Sequence, residues 1–245
     1  MQPRKRTQLP NCGNTNGFFN HIAGIASVTD LRLTGNNATV SPDATHIVYA
    51  GVATAESNLS ANSTQTFALE IIDKAVIAAR TLTPVVRPVN NEQEPGKHLY
   101  VGFITPEHHY DLRRSTGTGE YQDIQKYALS ANASAKNPIL SGSIGVYNGC
   151  VLHETIRLPE VAGAIASTVG RGVLCGAQAA IMAFGRGYSK SRMSWSEKLF
   201  DYENQLGVKT GVIGGLVKTR YNNADFSTVV MSATHSVNAR AASQR

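Results

Sequence analysis

The sequence predicts an α+β protein in which strands and helices follow each other irregularly. Three observations support this prediction. Leu69, Ile72 and Val76 recur at the three- and four-residue spacing of one helical face. Short apolar runs bounded by glycine, asparagine and proline occur along the rest of the chain, as is typical of strands. No regular strand–helix–strand series is present, so a doubly wound parallel sheet is not expected.

The chain begins with a segment of low regularity and then changes pattern. Residues 1–65 are rich in Asn, Thr, Ser, Ala and Gly, which predicts an extended, loop-rich segment with one or two strands. Thr66 is a suitable N-cap for an amphipathic helix over residues 69–80. Glu70 and Lys74 are spaced as an i,i+4 ion pair on this helix.

Further elements are predicted in the middle of the chain. Residues 99–104 have the apolar character of a buried strand, and a helix led by Pro106 is expected over residues 106–114. Residues 121–133 predict another helix. Asn148-Gly149 suits a tight hairpin turn between two strands.

The glycine-rich C-terminal part is predicted to be mainly strand. Residues 171–187 begin as a strand and continue as a small-residue helix or a second strand, because periodicity does not separate the two. Residues 208–218 predict a strand, a tight turn at the glycines and a second strand. The Lys218-Thr219 ending lacks the spacing of a phosphate-binding loop, in which Gly-Lys-Ser/Thr opens a helix.

Charge and cysteine content argue against several classes of protein. The net charge is +6, but the basic residues are scattered apart from residues 4–6 and 113–114, so no dedicated nucleic-acid module is predicted. No apolar run reaches about 18 residues, and we expect neither a membrane-spanning helix nor a membrane partner. The N-terminus lacks the apolar stretch of a signal peptide. Three widely spaced cysteines favour reduced thiols and synthesis in a cytoplasm.

Two groups of residues are candidates for chemistry. His108 and His109 lie beside acidic residues, but adjacent side chains on a helix point about 100° apart, so both cannot face one metal ion. Cys150 and His153 are three positions apart on a predicted strand and therefore face opposite sides. We predict no catalytic residue, no cofactor site and no metal site.

Several motifs in a fixed order resemble one protein family. The central ones are NPILSGSIGVYNGCVLHE at residues 137–154 and RGVLCGAQAAIMAFGRG at residues 171–187. Matching pieces at residues 69–80, 84–89, 100–114 and 195–231 flank them in the same order. Together they resemble the major capsid proteins of N4-like tailed bacteriophages over roughly residues 31–231.

This resemblance implies a Hong Kong 97-type capsid fold and a structural, non-enzymatic role. The protein would assemble in the bacterial host cytoplasm into hexamers and pentamers of an icosahedral shell, and it would reside in the virion. Portal, scaffold and decoration proteins, and non-specific contact with the packaged double-stranded DNA, are the further partners implied. The implied segments are a truncated N-terminal arm and extended-loop region (1–65), a peripheral subdomain with the spine helix (66–96), an axial subdomain (97–205), and a return to the peripheral subdomain with the C-terminal tail (206–245).

Three arginines are candidates for contacts between subunits. Arg87 lies between Pro84 and Pro88, which hold its backbone extended. A fixed arginine can make a fork-shaped contact with a carboxylate, within its own subunit or across an interface, and the sequence leaves both open. Arg113 and Arg114 are the other two candidates.

Two alternatives remain open at the level of sequence. One is a compartment shell of the encapsulin type, which would share the fold and differ in what it encloses. The other is an enzyme that uses Cys150 or the pair His108 and His109.

Overall fold

A computed structural model of the chain describes residues 15–25, 38–59, 64–89, 98–115, 120–121, 143–158, 169–185 and 193–236. The helices in these ranges are α1 (Thr15–Ala23), α2 (Leu69–Thr81) and α3 (Pro106–Arg114), with short 3-10 helices at Ala44–His46 and Glu56–Asn58. The strands are β1 (Ile47–Tyr49), β2 (Tyr100–Ile104), β3 (Ser143–Tyr147), β4 (Cys150–Glu154), β5 (Val169–Cys175), β6 (Ala180–Phe184), β7 (Met193–Phe200), β8 (Gln205–Val212), β9 (Gly214–Lys218), β10 (Arg220–Tyr221), β11 (Ala224–Asp225) and β12 (Thr228–Thr234).

Six of these strands form a mixed sheet in the order β1-β12-β5-β2-β4-β3. β12 pairs in parallel with β1 and antiparallel with β5, so that Val230 lies between Ile47 and Val173. β2 pairs antiparallel with β5 and in parallel with β4. Every residue of β5 and of β12 is buried, so these two strands are the centre of the body.

Helices cover both faces of the sheet. α2 packs on β12 and β1 and buries Ile72 and Val76 in the larger apolar cluster. α1 buries Ile22 in a second cluster that contains Val173. Leu174, the next residue of β5, belongs to the larger cluster, because successive residues of a strand point to opposite faces.

The predicted helix over residues 69–80 is confirmed with one correction. α2 covers these residues, and Lys74 Nζ lies 2.6 Å from Glu70 Oε1, as the i,i+4 spacing predicts. Thr66 is not the N-cap. Ala68 occupies that position without a side-chain hydrogen bond, while Thr66 forms an isolated parallel bridge with Thr234. Thr66 therefore takes part in a long-range strand pairing instead of capping α2.

Three other local predictions are confirmed. The strand at residues 99–104 is β2, and the proline-led helix is α3, whose N-cap Thr105 accepts a hydrogen bond from the His108 backbone N–H. Asn148 and Gly149 join β3 to β4 with φ angles of 45° and 75°, the left-handed backbone that such a turn requires. The predicted helix at residues 121–133 lies outside the described residues except for Tyr121.

The C-terminal prediction is partly wrong. Of the two alternatives left open after β5, the second strand is the one observed, as β6 (Ala180–Phe184). Residues 208–218 do not reverse at the glycines. β8 and β9 run on in one direction and pair with different partners, β7 and β6. The sequence also missed α1, which lies in the segment expected to be extended.

Two further predictions concern a membrane-spanning helix and the division of the chain into segments. Among the described residues, no helix is long and apolar enough to cross a membrane. The sheet combines strands from the predicted segments 1–65, 97–205 and 206–245. The division of these segments into peripheral and axial subdomains stays a prediction.

Candidate assembly surface

The chain leaves the central sheet after β5 and returns to it at β12. Between these two strands it forms a two-stranded arm. Its first part pairs β6 with β9, from Ala180 opposite Lys218 to Phe184 opposite Gly214. Its outer part pairs β7 with β8. The arm consists of β6, β7, β8 and β9 and the turn between β7 and β8. Among the described helices and strands, none other than β8 packs extensively on β7.

The outer part of the arm has one apolar face. The strand register places Trp195 opposite Thr210 and Leu199 opposite Leu206. Glu197 lies on the same face and accepts a hydrogen bond from Trp195 Nε1 over 2.6 Å, whereas the side chains of residues 196 and 198 point to the other side. The apolar side chains on this face are 48% to 63% exposed. They are Trp195, Leu199, Leu206 and Val208. The opposite face is mainly polar or glycine, with Ser196 opposite Lys209 and Lys198 opposite Gly207.

The tip of the arm is a strained turn. Asp201, Tyr202 and Glu203 have φ angles of 54°, 50° and 72°, a left-handed backbone that non-glycine residues adopt at a cost. The Asn204 N–H donates to the Asp201 carbonyl oxygen over 2.9 Å. Tyr202 is fully exposed. The tip therefore presents a large aromatic ring between two acidic residues.

The base of the arm carries buried charge. Lys218 Nζ lies 2.7 Å from Asp225 Oδ2, and both side chains are almost completely buried. Burial lowers the pKa of Lys218, and the hydrogen bond and charge of Asp225 oppose that shift. Burial, and then the nearby charge of Lys218, lower the pKa of His21 in α1. Lys218, which ends the glycine-rich strand β9, therefore forms a buried ion pair and is not the lysine of a phosphate-binding loop.

The three candidate arginines lie at separate places on the body. Arg87 is exposed in the segment between α2 and β2, and its carbonyl oxygen accepts the Ala177 N–H over 2.8 Å. This bond fixes its backbone, while its side chain has no ion-pair partner among the described residues. Arg113 and Arg114 are exposed at the end of α3, where the Arg114 guanidinium lies 5.8 Å from the centre of the Tyr110 ring.

The two adjacent histidines point apart, as the helical geometry predicts. His108 is buried, and its ring lies 4.6 Å from those of Phe67 and His235. His109 turns outward and places Nδ1 2.5 Å from Glu154 Oε2. Within the part of the chain that the structure describes, no group of three or more metal-ligating side chains comes together.

Cys150 and His153 also face opposite sides of the sheet. Cys150 lies in the larger apolar cluster, whereas the ring of His153 lies 6.0 Å from Phe103, beside the second cluster. Burial raises the pKa of the Cys150 thiol to about 12 and that of Cys175 to about 12. A thiol with such a pKa is a poor nucleophile at neutral pH.

The arm was not predicted from the sequence. Its apolar alternation in β7 is interrupted by Glu197, which occupies a position on the apolar face. The pairing of β6 with β9 joins segments separated by the whole outer hairpin. The detectable signal was the density of apolar residues without a helical period between residues 180 and 217. That signal indicates strands but not which strands pair.

Comparison with known proteins shows similarity to phage capsid proteins. A family model described as phage capsid protein matches residues 11–237. The capsid protein of Ralstonia phage GP4 is similar in structure, with a TM-score of 0.67, 29% sequence identity, and coverage of 91% of this chain and 63% of that one. The capsid of cyanophage Pam1 shares the fold, with a TM-score of 0.58, 17% identity, and coverage of 80% of this chain and 55% of that one.

The chain therefore spans less than two thirds of the length of these two capsid proteins. No curated protein sequence matches it. The family match covers most of the chain, and the layered mixed sheet agrees with the structural likeness. The chain belongs to the phage capsid protein family and has the Hong Kong 97-type capsid fold.

Proposed function

We propose that this chain is a major capsid subunit that self-assembles into the icosahedral shell around the double-stranded DNA of a tailed bacteriophage. Membership of the capsid family supports this function, as does the likeness to the Ralstonia phage GP4 capsid over most of the chain. The proposal includes packing in hexamers and pentamers, placement in the virion, assembly in the host cytoplasm and membership of the N4-like group. Portal, scaffold or decoration proteins and packaged DNA are its proposed further partners.

The apolar face of the arm is the observation that carries this proposal. A two-stranded hairpin is marginally stable in water unless one face is covered, and here Trp195 and Leu206 are each 63% exposed. Burial of each half-exposed side chain against a neighbouring subunit would contribute roughly 1 kcal/mol. Closed assemblies repeat the same contact by symmetry, so a modest gain recurs at every subunit.

The exposed arginines supply a second kind of contact. Arg87 combines a hydrogen-bonded backbone with a side chain that has no ion-pair partner among the described residues. A guanidinium held in this way suits a fork-shaped contact with a carboxylate of the next subunit. We assign Arg87, Arg113 and Arg114 to contacts between subunits as part of the same proposal.

A non-enzymatic role belongs to this proposal. The cysteine and histidine candidates are separated by the sheet or turned apart on α3. The raised pKa of Cys150 argues against a nucleophilic thiol. These observations favour a shell subunit over an enzyme that would use the same residues.

The proposal is tested by assembly of matched variants. One variant combines Leu199→Glu with Leu206→Lys, which are opposite each other in the register, so that the hairpin keeps a favourable cross-strand pair and loses its apolar contact. The control variant is Ser196→Glu, which lies opposite Lys209 on the polar face. Light scattering and negative-stain electron microscopy measure assembly, and circular dichroism verifies folding.

We expect shells or capsomers from the wild-type chain and from the control. The apolar-face variant should remain a folded monomer, because its loss is confined to the contact. Normal particles from this variant would contradict the assignment of the arm. A wild-type chain that stays a folded monomer at high concentration would contradict the shell function itself.

A further inference from the structure

The arm joins the body through a buried ion cluster. Lys218 is the last residue of β9, and its side chain is 1% exposed. Its partner Asp225 is completely buried in β11, just before the chain enters β12. Arg220 Nε lies 3.2 Å from the second carboxylate oxygen of Asp225. The cluster is therefore placed where the arm ends and the central sheet begins.

The same carboxylate is tied to the N-terminal side of the body. The backbone N–H of Asp43 donates to Asp225 Oδ2 over 3.3 Å, and Asp43 directly precedes the short helix that leads into β1. On the arm side, Lys218 pairs with Ala180 across the two strands. Asp225 thus connects both strands of the arm, through Lys218, with the segment that precedes β1.

A buried ion pair of this kind adds little to the free energy of unfolding, but it restricts the relative orientation of the two elements that carry it. Removing two charges from water costs several kcal/mol, which their attraction only repays when the geometry is good, so an apolar pair of similar volume often gives equal stability. The charged pair differs in one respect. If the arm tilted, Lys218 and Asp225 would separate inside a dry region and leave uncompensated buried charges. An apolar pair would tolerate such a tilt.

We propose that Lys218 and Asp225 form a clamp that fixes the direction in which the arm leaves the body. This inference rests on the proposed function in one respect: in a shell, the direction of the arm sets the angle between neighbouring subunits. A fixed angle closes an assembly at one size, whereas a variable angle gives assemblies of several sizes. Lys218 and Asp225 are positioning residues, since they act through the apolar face that the arm carries.

The test uses variants that separate direction from stability. The clamp variant combines Lys218→Met with Asp225→Asn, which keeps the volume and the acceptor for the Asp43 N–H and removes both charges of the pair. Lys218→Arg keeps the charge pair. The control combines Glu70→Gln with Lys74→Met, which removes an exposed lysine–carboxylate pair on α2. Thermal unfolding measures the stability of each variant.

Arm direction is measured on unassembled protein. Spin labels are attached at Tyr202→Cys on the tip and at Ile77→Cys, an exposed position on α2, in a Cys12→Ser background. Double electron–electron resonance gives the distribution of distances between the labels. Particle diameters in electron micrographs give the consequence in assembled protein.

The clamp predicts a single narrow distance for the wild type, for Lys218→Arg and for the control. The clamp variant should unfold near the wild-type temperature, lose the single distance and give particles of mixed diameter. An unchanged narrow distance in a folded clamp variant would overturn the proposal. A broad distance in the wild type would overturn it even if the clamp variant failed to fold. Absence of wild-type particles would count against the shell function and leave the distance measurement as the test of the clamp.

Discussion

Arg171 and Glu56 form a two-point ion pair between residues 115 positions apart in the chain. Arg171 Nε and Nη2 donate to the two carboxylate oxygens of Glu56 over 2.7 Å and 2.8 Å. Arg171 Nη1 also donates to the carbonyl oxygen of Ala23 at the end of α1, over 3.0 Å. Ser232 of β12 donates to Glu56 over 2.7 Å. One guanidinium therefore fastens α1 and the N-terminal segment to the centre of the sheet.

Glu56→Gln should destabilise the fold. The amide can accept only one of the two charged hydrogen bonds and leaves Arg171, a largely buried group, without its counter-charge. We expect a loss of about 2 kcal/mol in the free energy of unfolding, measured in urea. The matched control is Glu70→Gln, which removes an exposed ion pair with Lys74 and should cost no more than roughly 0.5 kcal/mol. Equal losses for the two variants would show that the buried pair has no special weight.

The contribution of Glu56 should depend on pH with a defined sign. Burial alone would raise the pKa of Glu56, but Arg171 and the Ser232 hydroxyl lower it by more, so it lies below its ordinary value of 4.5. A depressed pKa in the folded state gives stability that is fully present above the unfolded value and is lost as the pH falls through the folded value.

The difference in unfolding free energy between wild type and Glu56→Gln is therefore expected to be constant between about pH 7 and pH 5. It should shrink below about pH 4.5, where the unfolded carboxylate takes up its proton first. Urea titrations at several pH values measure this difference. A gap that widened on acidification would reverse the sign and contradict the assignment of the shift to Arg171.

The elements that were predictable from the sequence are those that local physics determines. The helix α2 follows from apolar spacing, α3 from Pro106 behind the N-cap Thr105, and the β3–β4 hairpin from Asn148-Gly149. Each of these signals lies within a few residues of the structure it specifies. Thr66 shows the limit, since a suitable cap residue was used instead in a bridge to Thr234.

The arm and the ion cluster at its base depend on distant pairing. The glycines between β8 and β9 suit either a continuing strand or a tight turn. The strand continues because β8 pairs with β7 and β9 pairs with β6. Lys218 and Asp225 meet because two short strands, β10 and β11, return the chain by an Asn222-Asn223 turn. Two adjacent asparagines are a local turn signal, since asparagine tolerates the left-handed backbone. The burial of the charges beside this turn has no such local signal.

Gly149→Ala should disrupt the β3–β4 turn. Gly149 has a φ of 75°, and a Cβ at this position would lie 2.7 Å from the carbonyl oxygen of His98. The left-handed backbone and the steric clash together should lower the free energy of unfolding, measured in urea, by about 1–3 kcal/mol. Gly215→Ala is the control, because a Cβ there meets nothing within 4 Å and should change stability by less than about 0.5 kcal/mol. Similar losses at both sites would argue against a strained turn.

Thiol reactivity should separate a shell subunit from an enzyme that uses cysteine. Cys150 and Cys175 are buried on opposite faces of the sheet, and burial raises the pKa of each to about 12. In a Cys12→Ser background, iodoacetamide at mildly alkaline pH should leave the folded protein unmodified, since the thiolate is the reactive form.

The same protein in urea should be alkylated at both cysteines, which mass spectrometry detects as a shift of two adducts. This control shows that folding, rather than prior oxidation, protects the thiols. The rate at intermediate urea should follow the unfolded fraction, because no local opening of β4 or β5 is expected. Rapid modification of Cys150 in the native protein, with Cys175 untouched, would mean a selectively activated thiol. That result would shift the assignment from a structural cysteine toward a nucleophile.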